Sequence, residues 1–156
     1  MDLFTFLLLV HIAGAIIGFG PTFTFAVLGP LAGKMGGPPG LGIMEGMLAV
    51  ANRLILPVSA FTQPVSGAWL IFEGGWNQNF FEHDWLWTAI VLYVIAFYVA
   101  VFMSRPTLHK MVDMAKGGQA GSAEFAALAA RAKKLGPVTT LLLLAIIFLM
   151  VVKPGS

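Results

Sequence analysis

Cysteine is absent from the 156 residues, and charge is scarce. Without cysteine there is no disulfide, no thiolate-ligated iron–sulfur cluster and no C-x-x-C-H site for covalent haem attachment. Charged residues make up 10% of the chain and hydrophobic residues 58%, and the mean hydropathy is +0.88. A soluble domain carries about 25% charged residues. The composition therefore predicts an integral membrane protein.

The few acidic residues lie outside or at the ends of the apolar stretches. No paired carboxylates and no serine–histidine–acid arrangement can form within those stretches, so we expect no catalytic residues and no hydrolase. The sequence pI is about 9.2, but the basic residues form no soluble patch with groove-reading elements. We therefore expect no nucleic-acid partner, and the lipid bilayer is the expected environment.

Four apolar windows have about the 20 residues that a helix needs to cross a bilayer. Continuous windows favour helices over the alternating strands of a membrane barrel, and short connections favour antiparallel neighbours. We predict an all-α, polytopic, antiparallel four-transmembrane-helix bundle, a single integral membrane domain over residues 1–156. The predicted spans are 3–28, 54–73, 85–104 and 136–152.

Two connections between the predicted spans differ in composition from the apolar windows. Residues 29–48 are rich in glycine and proline, which predicts a flexible connection on the membrane surface. Residues 122–134 are rich in alanine and end in basic residues, which predicts an amphipathic helix that leads into the fourth span and anchors on anionic headgroups.

The basic residues predict the orientation. Of the nine Lys and Arg residues, Lys153 alone lies on the side of the termini, and the positive-inside rule places the others in the cytoplasm. We expect a bacterial inner (cytoplasmic) membrane protein with both termini non-cytoplasmic. Tryptophans cluster around the middle connection, where interfacial anchoring is the simpler role and binding the alternative. These are Trp69, Trp76, Trp85 and Trp87.

His11 lies within the uncharged stretch 3–33, about 12 Å into the membrane at 1.5 Å per residue. An ionisable residue at that depth is rare and is a candidate functional residue. Counting along the other spans places Gln63, Ser66 and Tyr93 in the same layer, so these three are candidate cofactor-binding residues together with His11. In the second span, Ser59, Thr62, Gln63 and Ser66 share one helical face, and Pro57 and Pro64 predict a kink.

Small residues follow His11 on its own helical face, because Gly14, Ala15 and Gly18 stand at i+3, i+4 and i+7. Two interpretations remain open. The small face leaves space for a flat cofactor beside the ring, or it allows two helices to pack closely without any ligand.

His11 itself has two interpretations. It is a neutral ring that joins helices by a hydrogen bond to Tyr93, Gln63 or Ser66, or it is a metal ligand, namely an axial ligand of haem b. Neither His83, at the outer boundary, nor His109, on the opposite side, is an obvious second ligand, and Met150 is a weaker candidate. Metal transport by the scattered methionines is a third, poorly supported interpretation.

Three segments together resemble an uncharacterised bacterial family of four-helix integral membrane proteins. They are LLLVHIAGAIIGFG, ANRLILPVSAFTQPVSGAWL and WLWTAIVLYVIAFYVAVFMSRPTLHKM. More distantly they resemble the CopD copper-resistance membrane domain and the HemJ-type protoporphyrinogen oxidases, in which a first-helix histidine is associated with haem.

The resemblance implies a haem b bound through His11, with Arg53 as a propionate or structural partner, and a role in electron transfer or redox sensing. A transmembrane lysine and a second buried histidine are lacking, so oxidase chemistry of the HemJ type is not expected. The alternative is a non-catalytic accessory or scaffold subunit, packed in a larger membrane complex or as a homo-oligomer.

Overall fold

The computed structural model describes residues 1–155, and this part of the chain contains no strand. Four helices are each long and apolar enough to cross a membrane, which confirms the all-α polytopic fold. A short 3₁₀ helix, Phe80–Glu82, lies in the connection between the second and third. The long helices are α1 (Leu3–Met35), α2 (Gly37–Glu73), α3 (Asp84–Lys116) and α4 (Ala123–Val152).

Polar groups mark the ends of the outer helices. Asp2 Oδ1 accepts a hydrogen bond from the Thr5 backbone N–H at 2.7 Å and begins α1, and this bond lowers the pKa of the Asp2 carboxyl. Ser122 Oγ accepts from the Phe125 N–H at 3.1 Å and begins α4. Both are N-caps that satisfy an otherwise unpaired helical donor. Lys153, in the left-handed conformation, ends α4.

The helices run antiparallel, so the bundle has two different ends. The terminal end holds both chain termini and the connection 74–83, and the hairpin end holds the turn at Gly36 and the turn 117–122. Helix α1 packs against α2 and α4, and α3 packs against α4, while α2 meets α3 closely at the hairpin end. A core of Ala96, Leu143 and Ile146 joins α3, α4 and the phenylalanines of α1.

Three prolines shape α2 and α3 in the same way. A π-helical stretch ends two residues before each of them: Ala51–Ile55 before Pro57, Val58–Thr62 before Pro64, and Val99–Ser104 before Pro106. A helical proline has no N–H and its ring clashes with the carbonyl four residues earlier. The wider π turn relieves this clash, since the bond then skips to the fifth residue, as from Gln63 N–H to Val58 O.

Residues 29–48 are not a flexible connection, and that prediction is corrected. Helix α1 continues to Met35, and α2 begins at Gly37 after one glycine. Gly36 and Gly37 have φ of 58° and 50°, which glycine adopts without strain. The prolines that follow stand in the first turn of α2, where an N–H is not needed. Residues 123–134 are helical and continuous with the fourth span through Pro137.

Close contacts fix how the helices align along the bundle axis. On α1 and α2, Gly18 lies against Val58 and Gly40 against Ala32, so Arg53 stands opposite about position 22 of α1. On α2 and α3, Arg105 Nε donates to Asn52 Oδ1 at 2.5 Å. Arg53 and Arg105 therefore lie at the same level of the bundle.

The alignment of α3 with α4 places more cations at that level. Lys110 Nζ lies 2.5 Å from Glu124 Oε1, and Lys153 Nζ lies 5.3 Å from the Trp85 ring. Between these two points Arg105 stands opposite about position 130 of α4. We call the cations at this level the cation belt: Arg53, Arg105, Arg131, Lys133 and Lys134.

The cation belt lies one membrane thickness from the terminal end. On each helix about 20 residues separate the belt level from the end, which corresponds to about 30 Å at 1.5 Å per residue. This equals the thickness of a bilayer's hydrocarbon core. The apolar slab of the protein therefore extends from the terminal end to the cation belt.

Beyond the belt the helices continue as an extension of about 18 Å with its own core. Ala32, Met44, Met111 and Val112 are buried there, and Phe125 and Leu128 of α4 pack on them. The exposed pairs Lys110–Glu124 and Lys116–Glu45, at 2.5 and 2.8 Å, lie on its surface. The extension explains why residues 29–48 are ordered, because the end of α3 and the start of α4 pack on them.

A candidate ligand site at His11

His11 lies on the face of α1 that packs against α2. Its Nδ1 is 2.9 Å from Ser66 Oγ, and its Cε1 would be 3.1 Å from a Cβ at Gly67. Because residue 67 is a glycine, the imidazole has room to pack against α2. Ser66 is buried, so the ring is held by a partner shielded from water and lipid.

The contacts of the Ser66 hydroxyl favour one tautomer of the neutral His11 ring. Ser66 Oγ lies 2.5 Å from the Thr62 carbonyl oxygen, which can only accept, so the single hydroxyl proton points to Thr62. Toward His11 the Oγ is then an acceptor, and Nδ1 must donate. In the neutral ring this places the proton on Nδ1 and leaves a lone pair on Nε2.

Gln63 holds the backbone of His11 rather than its ring. Gln63 Nε2 donates to the His11 carbonyl oxygen at 2.9 Å, and the side chain is buried with 4% of its surface exposed. The carbonyl already accepts a bond within α1, so Gln63 adds a bond between helices. His11, Gln63 and Ser66, predicted to share a layer, are brought into one hydrogen-bonded cluster.

Tyr93 is not hydrogen-bonded to this cluster. Its hydroxyl donates to the Ser59 carbonyl oxygen, nearer the hairpin end. Because Gln63 N–H bonds to Val58 O, the same π pattern would pair Ser59 O with the N–H of residue 64, which is a proline. Tyr93 satisfies the carbonyl that Pro64 leaves without a donor, and so joins α3 to α2.

The small-residue face of α1 is turned inward and is filled by α2. A Cβ at Gly14 would lie 2.6 Å from Gln63 Nε2, and a Cβ at Gly18 would lie 2.8 Å from Val58 Cγ1. Close helix packing, one of the two interpretations of Gly14 and Gly18, thus accounts for both glycines. The interface between α1 and α2 encloses no slot for a flat cofactor at these positions.

The other candidate ligands lie elsewhere in the bundle. The centre of the His83 ring lies 6.4 Å from that of Trp85, tilted by 49°, at the terminal end, and His109 Nδ1 lies 3.0 Å from Asp113 Oδ2 in the extension. Met150 is partly buried on the core of α3 and α4. Within residues 1–155 no group of three or more His, Cys, Asp or Glu residues could hold a metal ion.

The tryptophans at the terminal end have different environments. The indole N–H groups of Trp69 and Trp87 donate to Glu73 and Asp84 at 3.3 and 3.1 Å, on exposed side chains, as expected of interfacial anchors. Trp85 is instead buried, with 2% of its surface exposed. Lys153 Nζ lies 4.8 Å from the centre of the Trp76 ring, a cation–π contact that ties the end of α4 to the connection 74–83.

Sequence reasoning missed how Thr62, Ser59 and Gly67 take part in the site. Thr62 and Ser59 contribute carbonyl oxygens, which no side-chain pattern reveals. The position of Ser66, four residues after Thr62, indicates the role of the Thr62 carbonyl, since a helical serine often bonds back to the carbonyl four residues earlier. Pro64, five residues after Ser59, indicates the role of the Ser59 carbonyl, because proline has no N–H to donate to it.

The architecture and the buried polar cluster define a polytopic helical membrane protein with a histidine between two of its helices. The chain belongs to the family described as "Predicted integral membrane protein (DUF2269)", which it matches over residues 5–154. No curated protein and no solved structure matches it significantly. The family description agrees with the four spanning helices and carries no activity.

Proposed function

We propose that this membrane bundle binds haem b through His11 Nε2 and serves in electron transfer or redox sensing. The observation that supports the proposal is the hydrogen bond at Nδ1. Metal-binding histidines usually donate their other ring N–H to an acceptor, which fixes the tautomer and the ring orientation. Ser66 Oγ is such an acceptor, and it leaves Nε2 with a lone pair.

The described residues fit one half of a haem site. His11 supplies one ligand atom, Ser66 orients it, Gln63 holds the backbone behind it, and Gly67 gives the ring room. The space beside Gly14 and Gly18 is filled, so a porphyrin at Nε2 would have to lie off the α1–α2 interface. When bound, the haem iron would supply one-electron transfer.

Arg53 does not belong to this site. It stands opposite about position 22 of α1, about 16 Å along the bundle axis from His11. The propionate role implied by the resemblance is therefore not part of the proposal, and Arg53 belongs to the cation belt.

The location proposed is the bacterial inner membrane, with the cation belt and the extension in the cytoplasm and both termini on the other side. The support is the distribution of Lys and Arg: the belt and the extension hold all of them except Lys153. Positively charged segments are retained on the cytoplasmic side during insertion.

The test of haem binding is an absorption spectrum of the protein purified in detergent from cells supplied with haem, oxidised and then reduced with dithionite. We expect a Soret band in the wild type and in the matched variant His83→Ala, and none in His11→Ala. A colourless wild type, or a band that survives in His11→Ala, would contradict the proposal.

A second candidate function, a non-catalytic subunit of a larger membrane complex, is favoured by a different observation. On the extension, beyond the slab, the α1 side chains of Val27, Leu31 and Met35 are 69%, 41% and 53% exposed. Apolar side chains that neither lipid nor core covers are typical of contact surfaces. Purification in a mild detergent distinguishes this candidate from haem binding. A colourless wild type that elutes as a larger assembly would favour the complex subunit, provided that the double variant Val27→Asp, Leu31→Asp elutes as a monomer.

A further inference from the structure

An apolar groove lies on the outer surface between α1 and α2, away from His11. It has a volume of about 480 Å³ and is lined by Ile16, Ile17, Gly20, Pro21, Val50 and Leu54, among others. Ile16 and Ile17 are 67% and 48% exposed, and no atom lies within 4 Å of a Cβ placed at Gly20. The groove is thus a depression in the surface that faces the lipid.

The groove crosses the level of the cation belt. Its lining on α1 extends from Ile16 toward Leu28, and the belt stands opposite about position 22. Arg53 is exposed and lies in the turn of α2 between two residues of the lining, Val50 and Leu54. An exposed cationic residue therefore lies within one helical turn of the apolar groove, at the depth where lipid phosphates lie.

No carboxylate in the described chain pairs with Arg53. The nearest acidic residue along α2 is Glu45, about 12 Å away along the axis, and it pairs with Lys116 at 2.8 Å. The ion pair Lys110–Glu124 and the contact of His109 with Asp113 also lie in the extension. Arg105 is bonded to Asn52, the residue before Arg53, so two arginines lie at the level of the belt.

We infer that the groove binds one acyl chain of an anionic phospholipid, whose phosphate is bound by Arg53. Guanidinium groups bind phosphate with charge-assisted hydrogen bonds, and the apolar lining takes the chain on the membrane side of the belt. The rest of the cation belt, on α3 and α4, favours the same leaflet for anionic lipids. This inference is independent of haem binding.

The test uses the full chain in detergent with added phosphatidylglycerol or phosphatidylcholine of identical acyl chains, and native mass spectrometry to count retained lipid. We expect the wild type to retain phosphatidylglycerol about fivefold or more over phosphatidylcholine, as expected for one cation at a lipid surface. Arg53→Gln should reduce this preference to near parity. Lys110→Gln, which removes a cation already paired in the extension, should leave it unchanged.

A second pair of variants tests the groove without changing charge. Gly20→Leu fills the groove and should lower the retention of both lipids severalfold, whereas Gly33→Leu, at another open glycine of α1, should not. Circular dichroism and elution volume check that each variant is folded, and Arg53→Ala or Gly20→Val replaces Arg53→Gln or Gly20→Leu if that variant fails to fold. A wild type without a preference for phosphatidylglycerol, or equal losses in Lys110→Gln and Arg53→Gln, would overturn the inference.

Discussion

At the scale of single residues, the bundle depends on a few polar groups that satisfy one another between helices. Ser66 Oγ lies within hydrogen-bond distance of His11 Nδ1 and donates to the Thr62 carbonyl oxygen, and Tyr93 donates to the Ser59 carbonyl. In a bilayer such groups have no water to bond with, so each must find a partner within the protein. We propose, as the central claim, that Ser66 leaves His11 Nε2 able to bind a ligand.

The contact of Tyr93 gives the first prediction. Tyr93→Phe should destabilise the bundle by about 1 kcal/mol, because it removes the donor to Ser59 O. Tyr98→Phe is the matched control, since Tyr98 is 56% exposed on the lipid side and should have no effect. Unfolding by SDS in mixed micelles, followed by circular dichroism, measures both.

A double-mutant cycle separates this bond from ordinary packing. Pro64→Ala restores an N–H at residue 64 that can bond to Ser59 O. Tyr93→Phe should then cost clearly less in the Pro64→Ala background than in the wild type. An unchanged cost would contradict the role assigned to Tyr93.

The sequence identifies the polar residues between the helices better than it identifies their hydrogen-bond partners. His11, Gln63 and Ser66 could be placed together by counting, because helix rise is regular. The sequence could not show that Tyr93 bonds outside this cluster. Its partner is the Ser59 carbonyl, which lacks a backbone donor only because of the π turn before Pro64. Gly67 contacts His11 only because α1 and α2 approach so closely.

At the scale of helices, glycine determines how closely α1 and α2 approach. Gly14 and Gly18 face the side chains of Gln63 and Val58, whereas Gly20, Gly29 and Gly33 face open space. The same residue type thus has a packing role at two positions and none at the others. The sequence pattern G-x-x-x-G indicates such a contact but does not exclude a cofactor, and the contacts from α2 were needed to decide between them.

The second prediction follows from Gly18. Gly18→Ala would place a Cβ 2.8 Å from Val58 Cγ1, and valine cannot rotate freely away, so α1 and α2 must separate. We expect a loss of about 1–3 kcal/mol. Gly20→Ala on the same helix should be neutral or slightly stabilising. Equal effects of the two changes in SDS unfolding would contradict a close contact between Gly18 and Val58.

The ends of the helices were the least predictable part of the fold. Glycine and proline in residues 29–48 are as compatible with a loop as with two helices joined by a tight turn. The outcome depends on Met111, Val112 and Phe125, which are distant in sequence and pack on Ala32 and Met44. The spans themselves were predictable because length and hydropathy alone decide them.

At the scale of the whole molecule, charge divides the bundle into two parts. A slab about 30 Å thick holds the apolar helices and His11, and an extension beyond the cation belt holds the ion pairs and a second core. The four spans and the unequal distribution of charge could be predicted from composition. The extension could not, because its core forms only when all four helices continue past the membrane.

The absence of cysteine makes the proposed orientation directly testable. Single cysteines at Asn77, in the connection at the terminal end, and at Gly121, in the turn at the hairpin end, should react differently with a membrane-impermeant maleimide. In intact spheroplasts we expect labelling of Asn77→Cys, and labelling of Gly121→Cys only after permeabilisation. The reverse pattern would contradict a cytoplasmic cation belt.

The most direct test of the central claim is the protonation of the His11 ring, measured by ¹⁵N NMR on histidine-labelled protein purified without added haem. His11→Ala, compared with His83→Ala and His109→Ala, assigns the signals. We predict a neutral ring with the proton on Nδ1 and a lone pair on Nε2, and loss of that tautomer preference in Ser66→Ala. A proton on Nε2 in the wild type would contradict it, because Ser66 would then be the donor and the proposed ligand atom would be blocked.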